Sequence, residues 1–179
     1  MKNIILVLFL LSAHSAWSQT YQEKIAASKA LIDKPIQTHQ FYTLDKQTIS
    51  FENLNGQSIV AYFFASWCSP CYASLKNLNA AIGNVPSTVR VVAVSLDEDW
   101  DDLQGMLDKT GFTGEVWKSS DATAVLTNRL FANFSGSLPY VIKVDAKGIL
   151  REGGSRIKTT EQWLAVINQS TSLSEASKL

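Results

Sequence analysis

The chain has 179 residues, of which 46% are apolar, with 16 basic residues, 16 acidic residues and two cysteines. This length and apolar content suffice for one domain with a sizeable core, and no internal repeat or linker divides the sequence. The balanced charge predicts no strongly basic surface of the kind that binds a polyanion. The composition therefore argues against a nucleic-acid partner.

The N-terminus has the pattern of a secretory signal peptide. Lys2 precedes a short apolar run over residues 4–11, and the small residues Ala16 and Ser18 stand where signal peptidase prefers them. We predict that residues 1–18 are removed by cleavage after Ser18, which leaves an exported chain, periplasmic or otherwise extracytoplasmic, without stable membrane insertion. A retained anchor is the weaker alternative because the run is too short to span a bilayer comfortably.

The first elements of the mature chain lie ahead of its longest apolar run. Residues 21–34 have the spacing of an amphipathic helix, which Pro35 is predicted to end, so residues 19–35 form an N-terminal helical extension. Residues 39–44 and 47–50 are predicted to pair as a short hairpin.

The stretch around the two cysteines predicts a strand, a sharp turn and a helix. Residues 59–65 are apolar or aromatic without a break, which is typical of a strand buried on both faces. Cys68 then stands where the helix begins, with Ser69 and Pro70 in its first turn. Unpaired N–H groups and the helix dipole stabilise a thiolate at that position. Cys71 lies one turn further on, close enough for a disulfide.

Two other uses of the cysteine pair are less favoured. A structural bridge over so small a loop would contribute only about 2 kcal/mol and would connect nothing distant. A zinc site would need two more ligands, and His14 and His39 are the only imidazoles. His39 itself fits a surface strand better than a catalytic base, since it is far from the motif. The pattern therefore favours redox chemistry at Cys68 and Cys71, with no cofactor beyond their disulfide.

Four segments carry a family resemblance. Phe64-Ala-Ser-Trp-Cys-Ser-Pro-Cys71, together with residues 45–54, 89–95 and 136–148, resembles thioredoxin-fold proteins, and more narrowly the TlpA/ResA-like exported thiol–disulfide oxidoreductases. The resemblance covers roughly residues 36–170. It implies a thioredoxin-like α/β fold, with a central mixed sheet flanked by helices, an N-terminal hairpin and an inserted helix–strand block.

The remaining elements follow from apolar periodicity and turn residues. We predict strands at 89–95, 111–117, 140–144 and 149–152. We predict one helix that ends near residue 109 and two more at 121–131 and 159–168. Residues 171–179 are expected to form a flexible tail. Five acids between Asp97 and Asp102 are better explained as the first turn of a helix than as a metal site, because their spacing lacks a calcium-loop pattern.

The resemblance also implies roles near the disulfide. In the family, the proline at the position of Pro139 is cis and faces the disulfide, so that the backbone of Leu138 can pair with an extended substrate chain. Trp67 is assigned to the substrate-binding surface on the same ground. Trp117 could either shape the cleft or pack in the core.

The expected reaction is dithiol–disulfide exchange, in which Cys68 attacks a substrate disulfide and Cys71 resolves the mixed disulfide. The sequence departs from its relatives below the site. Tyr62 replaces the buried aspartate of thioredoxin, and Ser74 replaces a glutamate of ResA-like proteins. The acceptor of the Cys71 proton is left open among Glu115, water, Tyr62 and Ser74.

The residues around the motif predict the direction of electron flow. Ser69 and Pro70 carry no charge, and no Lys, Arg or His lies within four residues of the motif, so the Cys68 thiolate is only moderately stabilised. We expect a reductase that acts on protein thiols and disulfides and receives electrons from a membrane donor protein. A disulfide oxidase or isomerase is the main alternative. A thiol peroxidase, a copper carrier and a redox-inactive binding domain are less favoured.

Overall fold

The computed structural model describes residues 21–54, 56–154 and 157–176, and the predicted signal peptide lies outside them. The described strands form one sheet in the order β1-β8-β7-β4-β5-β6-β2-β3. The strands are β1 Lys34–Pro35, β2 Phe41–Thr43, β3 Thr48–Ile49, β4 Ser58–Phe64, β5 Val89–Ser95, β6 Glu115–Ser119, β7 Tyr140–Val144 and β8 Ile149–Gly153. The helices are α1 at 21–29, α2 Ser69–Ala81, α3 Trp100–Thr110, α4 Ala122–Leu126 and α5 Thr160–Ala176. The thioredoxin-like fold predicted from the sequence is confirmed.

Strand β4 lies in the middle of the sheet and leads into the cysteine motif. It pairs in parallel with β5, where Phe64 lies opposite Ser95, and antiparallel with β7, where Phe63 lies opposite Tyr140. All seven of its residues are buried, which explains why its sequence is almost continuously apolar. The segment that carries the cysteines therefore leaves the sheet from a central strand that is buried at every residue.

The two faces of β4 bury different aromatic groups, because successive side chains of a strand point to opposite sides. On one face, Tyr62 stacks on Phe64 and meets the edge of Trp163 from α5. On the other face, Phe63 stacks on Phe131 at a centroid distance of 5.5 Å. This second face continues into an aromatic cluster formed by Phe41, Phe51, Trp117 and Tyr140.

Trp117 belongs to this aromatic cluster. Its ring is fully buried against Phe41 and Phe51, and its indole N–H donates to Glu115 at 2.8 Å. Of the two possibilities that the sequence left open for Trp117, packing in the core is therefore the observed one.

The N-terminal extension differs from its prediction. The helix ends at residue 29, and Lys34 and Pro35 form an edge strand that pairs with β8. Proline is tolerated there because an edge strand has a neighbouring strand on one side only, so some of its residues donate no hydrogen bond within the sheet. The N-terminal extension thus forms both a helix and one edge strand of the sheet. The predicted hairpin is present as β2 and β3, and β2 also pairs with β6.

The inserted block begins later and has a shorter helix than predicted. Gly111, with a φ of 65°, ends α3 in the left-handed conformation, so β6 starts only at Glu115. Asp121 caps α4 as predicted by accepting from the Ala124 N–H. The helix stops at Leu126, and a turn follows that brings Phe131 into the aromatic cluster.

The final helix is longer than predicted. It continues from Thr160 to Ala176, so residues 171–176, which were expected in a flexible tail, are helical. Within the described ranges, no helix is long and apolar enough to cross a membrane.

Candidate active site

The two cysteines are joined in a disulfide at the start of α2. Cys68 is the residue that precedes the first helical residue, and no side chain caps the helix there. Ser69 and Pro70 form the beginning of α2, where the missing N–H of proline costs no intrahelical hydrogen bond. The Cys71 N–H donates to the Cys68 carbonyl at 2.9 Å, which closes the first turn. The free N–H groups at a helix start are the feature that stabilises a thiolate on the residue preceding the helix.

The two sulfur-bearing residues differ in exposure. Cys71 is completely buried, whereas Cys68 retains 6% of its surface and lines a surface groove. An incoming substrate sulfur therefore has access to Cys68.

We expect alkylation of the reduced protein at mildly acidic pH to label Cys68 before Cys71. The helix N-terminus lowers the pKa of the Cys68 thiol, and Cys71 is both buried and one turn away from that effect. Peptide mapping after brief exposure to iodoacetamide measures the order, and labelling after unfolding provides the control in which both thiols react. Preferential modification of Cys71 in the folded protein would overturn this division of roles.

Two grooves meet at Trp67, whose side chain is 64% exposed. The first, which we call the α3 groove, has a volume of about 590 Å³ and runs between the cysteine turn and α3. The second, which we call the α4 groove, has a volume of about 320 Å³ and runs between the end of β5 and α4. Trp67 thus forms the ridge between two surfaces that a substrate chain could occupy.

Acidic side chains predominate around these grooves. Asp101 and Asp102 line the α3 groove together with Lys109, and Asp102 also lines the α4 groove with Glu98 and Asp99. Lys109 is the one cation among the residues lining these two grooves. The surroundings of Cys68 therefore carry a net negative formal charge, which does not favour a thiolate.

Asp97 differs from the other acids of this segment because it is only 2% exposed. The sequence assigned all five acids to a helix start, whereas α3 begins only at Trp100 and Asp97 is bonded to the cysteine turn. Its position directly after a buried parallel strand could have indicated a site residue, since functional groups gather at the carboxyl ends of such strands.

The region beneath Cys71 contains two of the proposed proton acceptors. The Tyr62 hydroxyl donates to the Cys71 carbonyl at 3.1 Å, and the Ser74 hydroxyl donates to the Ile157 carbonyl at 2.7 Å. Burial raises the pKa of Tyr62 above its ordinary value, and a hydrogen bond with Ser74 opposes this only in part. Tyr62 is therefore protonated and acts as a donor, not as a base, at neutral pH.

Glu115 does not fold in beneath the cysteines. It lies on β6 beside Val92 of β5, and its carboxylate accepts two hydrogen bonds from Arg90, at 2.7 and 2.9 Å. With its oxygens engaged by Arg90 and by the Trp117 indole, Glu115 is a structural partner of the sheet.

The predicted substrate-contacting residues Leu138 and Pro139 directly precede β7. Their peptide bond is cis, Leu138 is half-buried and Pro139 is buried. Because Tyr140 pairs with Phe63 near the end of β4, the residues before β7 and those after β4 share one edge of the sheet. This edge also carries the cysteine turn.

His39 is half-buried beside β2, where Nε2 lies 2.9 Å from the Ser119 hydroxyl oxygen and the ring packs against Phe41 and Phe131. Burial lowers its pKa below the ordinary value, although Asp121 acts in the opposite direction. In the described parts of the chain, no group of histidine, cysteine and acidic residues has the arrangement of a metal site.

Comparison with known proteins assigns the family. A sequence profile of the AhpC/TSA family matches residues 13–152, which is more than half of the chain. The chain belongs to the AhpC/TSA family. Probable nucleoredoxin 3 of Oryza sativa subsp. japonica is 28% identical over 109 residues, a match that spans 59% of this chain and 22% of that protein.

Solved structures agree with the architecture. The thioredoxin domain of a thiol-disulfide oxidoreductase from Bacteroides vulgatus aligns with a TM-score of 0.61 and 15% identity, covering 77% of this chain and 96% of that domain. A secreted disulfide oxidoreductase of Mycobacterium tuberculosis, homologous to E. coli DsbE, aligns with a TM-score of 0.56 and 16% identity, covering 76% of this chain and 95% of that one. These likenesses support the thioredoxin-like fold.

Proposed function

We propose that this AhpC/TSA-family chain is a thiol–disulfide oxidoreductase that reduces disulfides of substrate proteins outside the cytoplasm. The observation that carries the proposal is the Cys68–Cys71 disulfide at the start of α2, with Cys68 lining a groove and Cys71 buried behind it. A purely structural bridge would not need one sulfur at a helix start and at the floor of an open groove.

The reduced enzyme transfers two electrons in two exchange steps. The Cys68 thiolate attacks one sulfur of a substrate disulfide, which forms a mixed disulfide and releases the other substrate sulfur as a thiolate. Cys71 then loses its proton and attacks the Cys68 sulfur. This step breaks the mixed disulfide, releases the second substrate thiolate and leaves Cys68 and Cys71 oxidised. Two protons from solvent complete the substrate dithiol.

Of the proton acceptors considered for Cys71, Glu115 is engaged by Arg90 on β6 and Tyr62 acts as a hydrogen-bond donor. Tyr62 donates its hydroxyl hydrogen to the Cys71 backbone and is protonated, so its role is to hold that backbone in place. We infer that Ser74, which lies beside Tyr62 and can both accept and donate, relays the proton toward water.

Substrate docking uses the edge of the sheet that carries the cysteine turn. Leu138 and Pro139 precede β7 at this edge, and Trp67 stands beside Cys68 with most of its indole exposed. An extended substrate segment can pair with the Leu138 backbone and rest against Trp67, so that its disulfide reaches Cys68.

Two features support the reducing direction and the compartment. The helix start is the main feature that stabilises the Cys68 thiolate, and the acids of the α3 and α4 grooves oppose it. The N-terminal pattern of a signal peptide, and secretion of the similar M. tuberculosis protein, favour an exported chain. A reductase in an oxidising compartment needs electrons from inside, so we include a membrane electron-donor protein as its partner.

Insulin reduction tests the proposed activity. We expect the purified chain to accelerate the reduction of insulin disulfides by dithiothreitol at least about tenfold over the uncatalysed reaction, because the Cys68 thiolate is more abundant at neutral pH than an ordinary thiolate. Precipitation of the released insulin chains reports the rate. A protein without any acceleration would instead be a redox-inactive binding domain.

A further inference from the structure

Asp97 is a buried carboxylate directly beside the cysteine turn. One of its oxygens, Oδ1, accepts hydrogen bonds from the Ser66 N–H and the Ser66 hydroxyl, both at 2.8 Å. The other, Oδ2, accepts from the Ser95 hydroxyl at 2.8 Å, and the Asp97 N–H donates back to the Ser95 oxygen at 3.0 Å. An ionised carboxylate is costly to bury unless its oxygens are satisfied in this way. The arrangement therefore holds a negative charge in a defined place.

These hydrogen bonds connect two neighbouring strands where both have ended. Ser66 belongs to the turn that leaves β4, and Asp97 follows β5. The Leu96 N–H donates to the Phe64 carbonyl at 2.8 Å, which is a further link across the same junction. Because Trp67 and Cys68 come directly after Ser66, the Asp97 side chain fixes the start of the segment that presents both of them.

We propose that Asp97 is a positioning residue for thiol–disulfide exchange: it holds the turn that presents Trp67 and Cys68, and its charge keeps the Cys68–Cys71 pair reducing. The inference rests on the proposed function, because it concerns the same disulfide. Asp97 is distinct from the cysteines and the docking residues in that it acts through Ser66.

The direction of the charge effect follows from electrostatics. The Asp97 carboxylate oxygen Oδ1 lies 2.8 Å from the Ser66 nitrogen. Cys68 is two residues further along the chain, and since consecutive Cα atoms are about 3.8 Å apart, the Cys68 Cα lies within roughly 12 Å of that oxygen. A negative charge at that distance disfavours a second one on the Cys68 sulfur. Since the reduced form carries the thiolate, Asp97 makes the dithiol a stronger electron donor. At an effective dielectric constant of 20, the interaction amounts to about tenfold in an equilibrium constant.

Other charges near the turn act alongside Asp97. Glu98, Asp99 and Asp102 line the α4 groove, and Lys109 lines the α3 groove. These groups are exposed and are screened by salt, whereas Asp97, which also borders the α4 groove, is only 2% exposed and is screened less. An electrostatic effect on the Cys68 thiolate that persists at high ionic strength is therefore assigned to Asp97.

The test compares Asp97→Asn with the unchanged protein in glutathione redox buffers at high ionic strength. Asparagine keeps an oxygen that accepts from Ser66, and it removes the charge. We expect the equilibrium constant to shift about tenfold toward the reduced enzyme, equivalent to about +30 mV, and the pKa of the Cys68 thiol to fall. Asp108→Asn is the matched control, because it removes the same charge from an exposed residue of α3 whose carboxylate accepts from Gln104 on the same helix. It should shift neither quantity.

A second variant tests the positioning role and remains informative if Asp97→Asn does not fold. Ser66→Ala removes one hydrogen bond to Asp97 and keeps its charge. We expect kcat/KM for insulin to fall about threefold or more, with the glutathione equilibrium unchanged.

The outcomes separate this inference from the proposed function. If Asp97→Asn keeps both the glutathione equilibrium and the Cys68 pKa of the unchanged protein within a factor of two, the charge role is overturned. An unaltered kcat/KM in Ser66→Ala overturns the positioning role. An oxidising redox potential for the unchanged protein would contradict the proposed direction of electron flow. The difference in potential between the unchanged protein and Asp97→Asn would still test the role of Asp97.

Discussion

Replacing Cys68 with alanine should remove the whole catalytic acceleration of insulin reduction, a loss of at least about tenfold that returns the rate to the uncatalysed level. Cys68 is the cysteine that lines the α3 groove, and Cys71 is fully buried behind it. Without Cys68, no exposed thiolate can attack the substrate disulfide, and loss of a covalent nucleophile is among the largest effects a substitution can have. The rate of insulin precipitation with dithiothreitol measures this effect.

The variant Cys71→Ser provides the informative comparison. It keeps the attacking thiolate but cannot resolve the mixed disulfide, so it should accumulate a covalent adduct with substrate proteins that disappears on reduction. Non-reducing electrophoresis of the variant after incubation with oxidised insulin would show the adduct. If Cys68→Ala formed this adduct and Cys71→Ser did not, Cys71 would be the attacking cysteine and Cys68 the resolving one.

Replacing Trp163 with alanine should lower the free energy of unfolding by about 3–5 kcal/mol. The Trp163 side chain is fully buried, its ring meets Tyr62 edge-on at a centroid distance of 5.2 Å, and its indole N–H donates to the Ser74 carbonyl at 3.1 Å. Truncation would leave a cavity between α5 and β4 and remove the indole hydrogen bond to a carbonyl of α2. Urea unfolding followed by circular dichroism measures the loss.

Trp67→Ala is the matched control, since it truncates the same residue type where 64% of the side chain is exposed. We expect a change in the free energy of unfolding of no more than about 0.5 kcal/mol, together with weaker insulin reduction, since we propose that Trp67 contacts the substrate. Equal stability losses in the two variants would contradict the packing described for α5.

The sequence predicted the parts of the fold that depend on local pattern. The apolar runs in the sequence predicted the ends of β4 and β5 to within one residue. A strand buried on both faces leaves little room for polar side chains, so its limits are visible in the sequence. The Cys68-Ser69-Pro70-Cys71 segment likewise placed the start of α2, since proline in the first turn and a redox pair at the helix start are local signals.

Long-range contacts explain what the sequence did not predict. Asp97 was taken for a helix-start acid because nothing local shows that it bonds Ser66, 31 residues earlier. Lys109 comes near Cys68 only through the packing of α3 beside α2. Pairing of Lys34 with Leu150 turned the end of the N-terminal extension into a strand, a tertiary preference that overrides the helical pattern.

The redox potential of the Cys68–Cys71 pair tests the central claim most directly. The claim is that a helix start flanked by acidic grooves stabilises the Cys68 thiolate only moderately, so that the enzyme donates electrons to substrate disulfides. Equilibration of the purified protein with glutathione and dithiothreitol buffers at pH 7, with the dithiol fraction measured by alkylation, gives the potential. We predict a value below roughly −200 mV, nearer to thioredoxin than to DsbA; a value near roughly −120 mV would show that the protein forms disulfides instead.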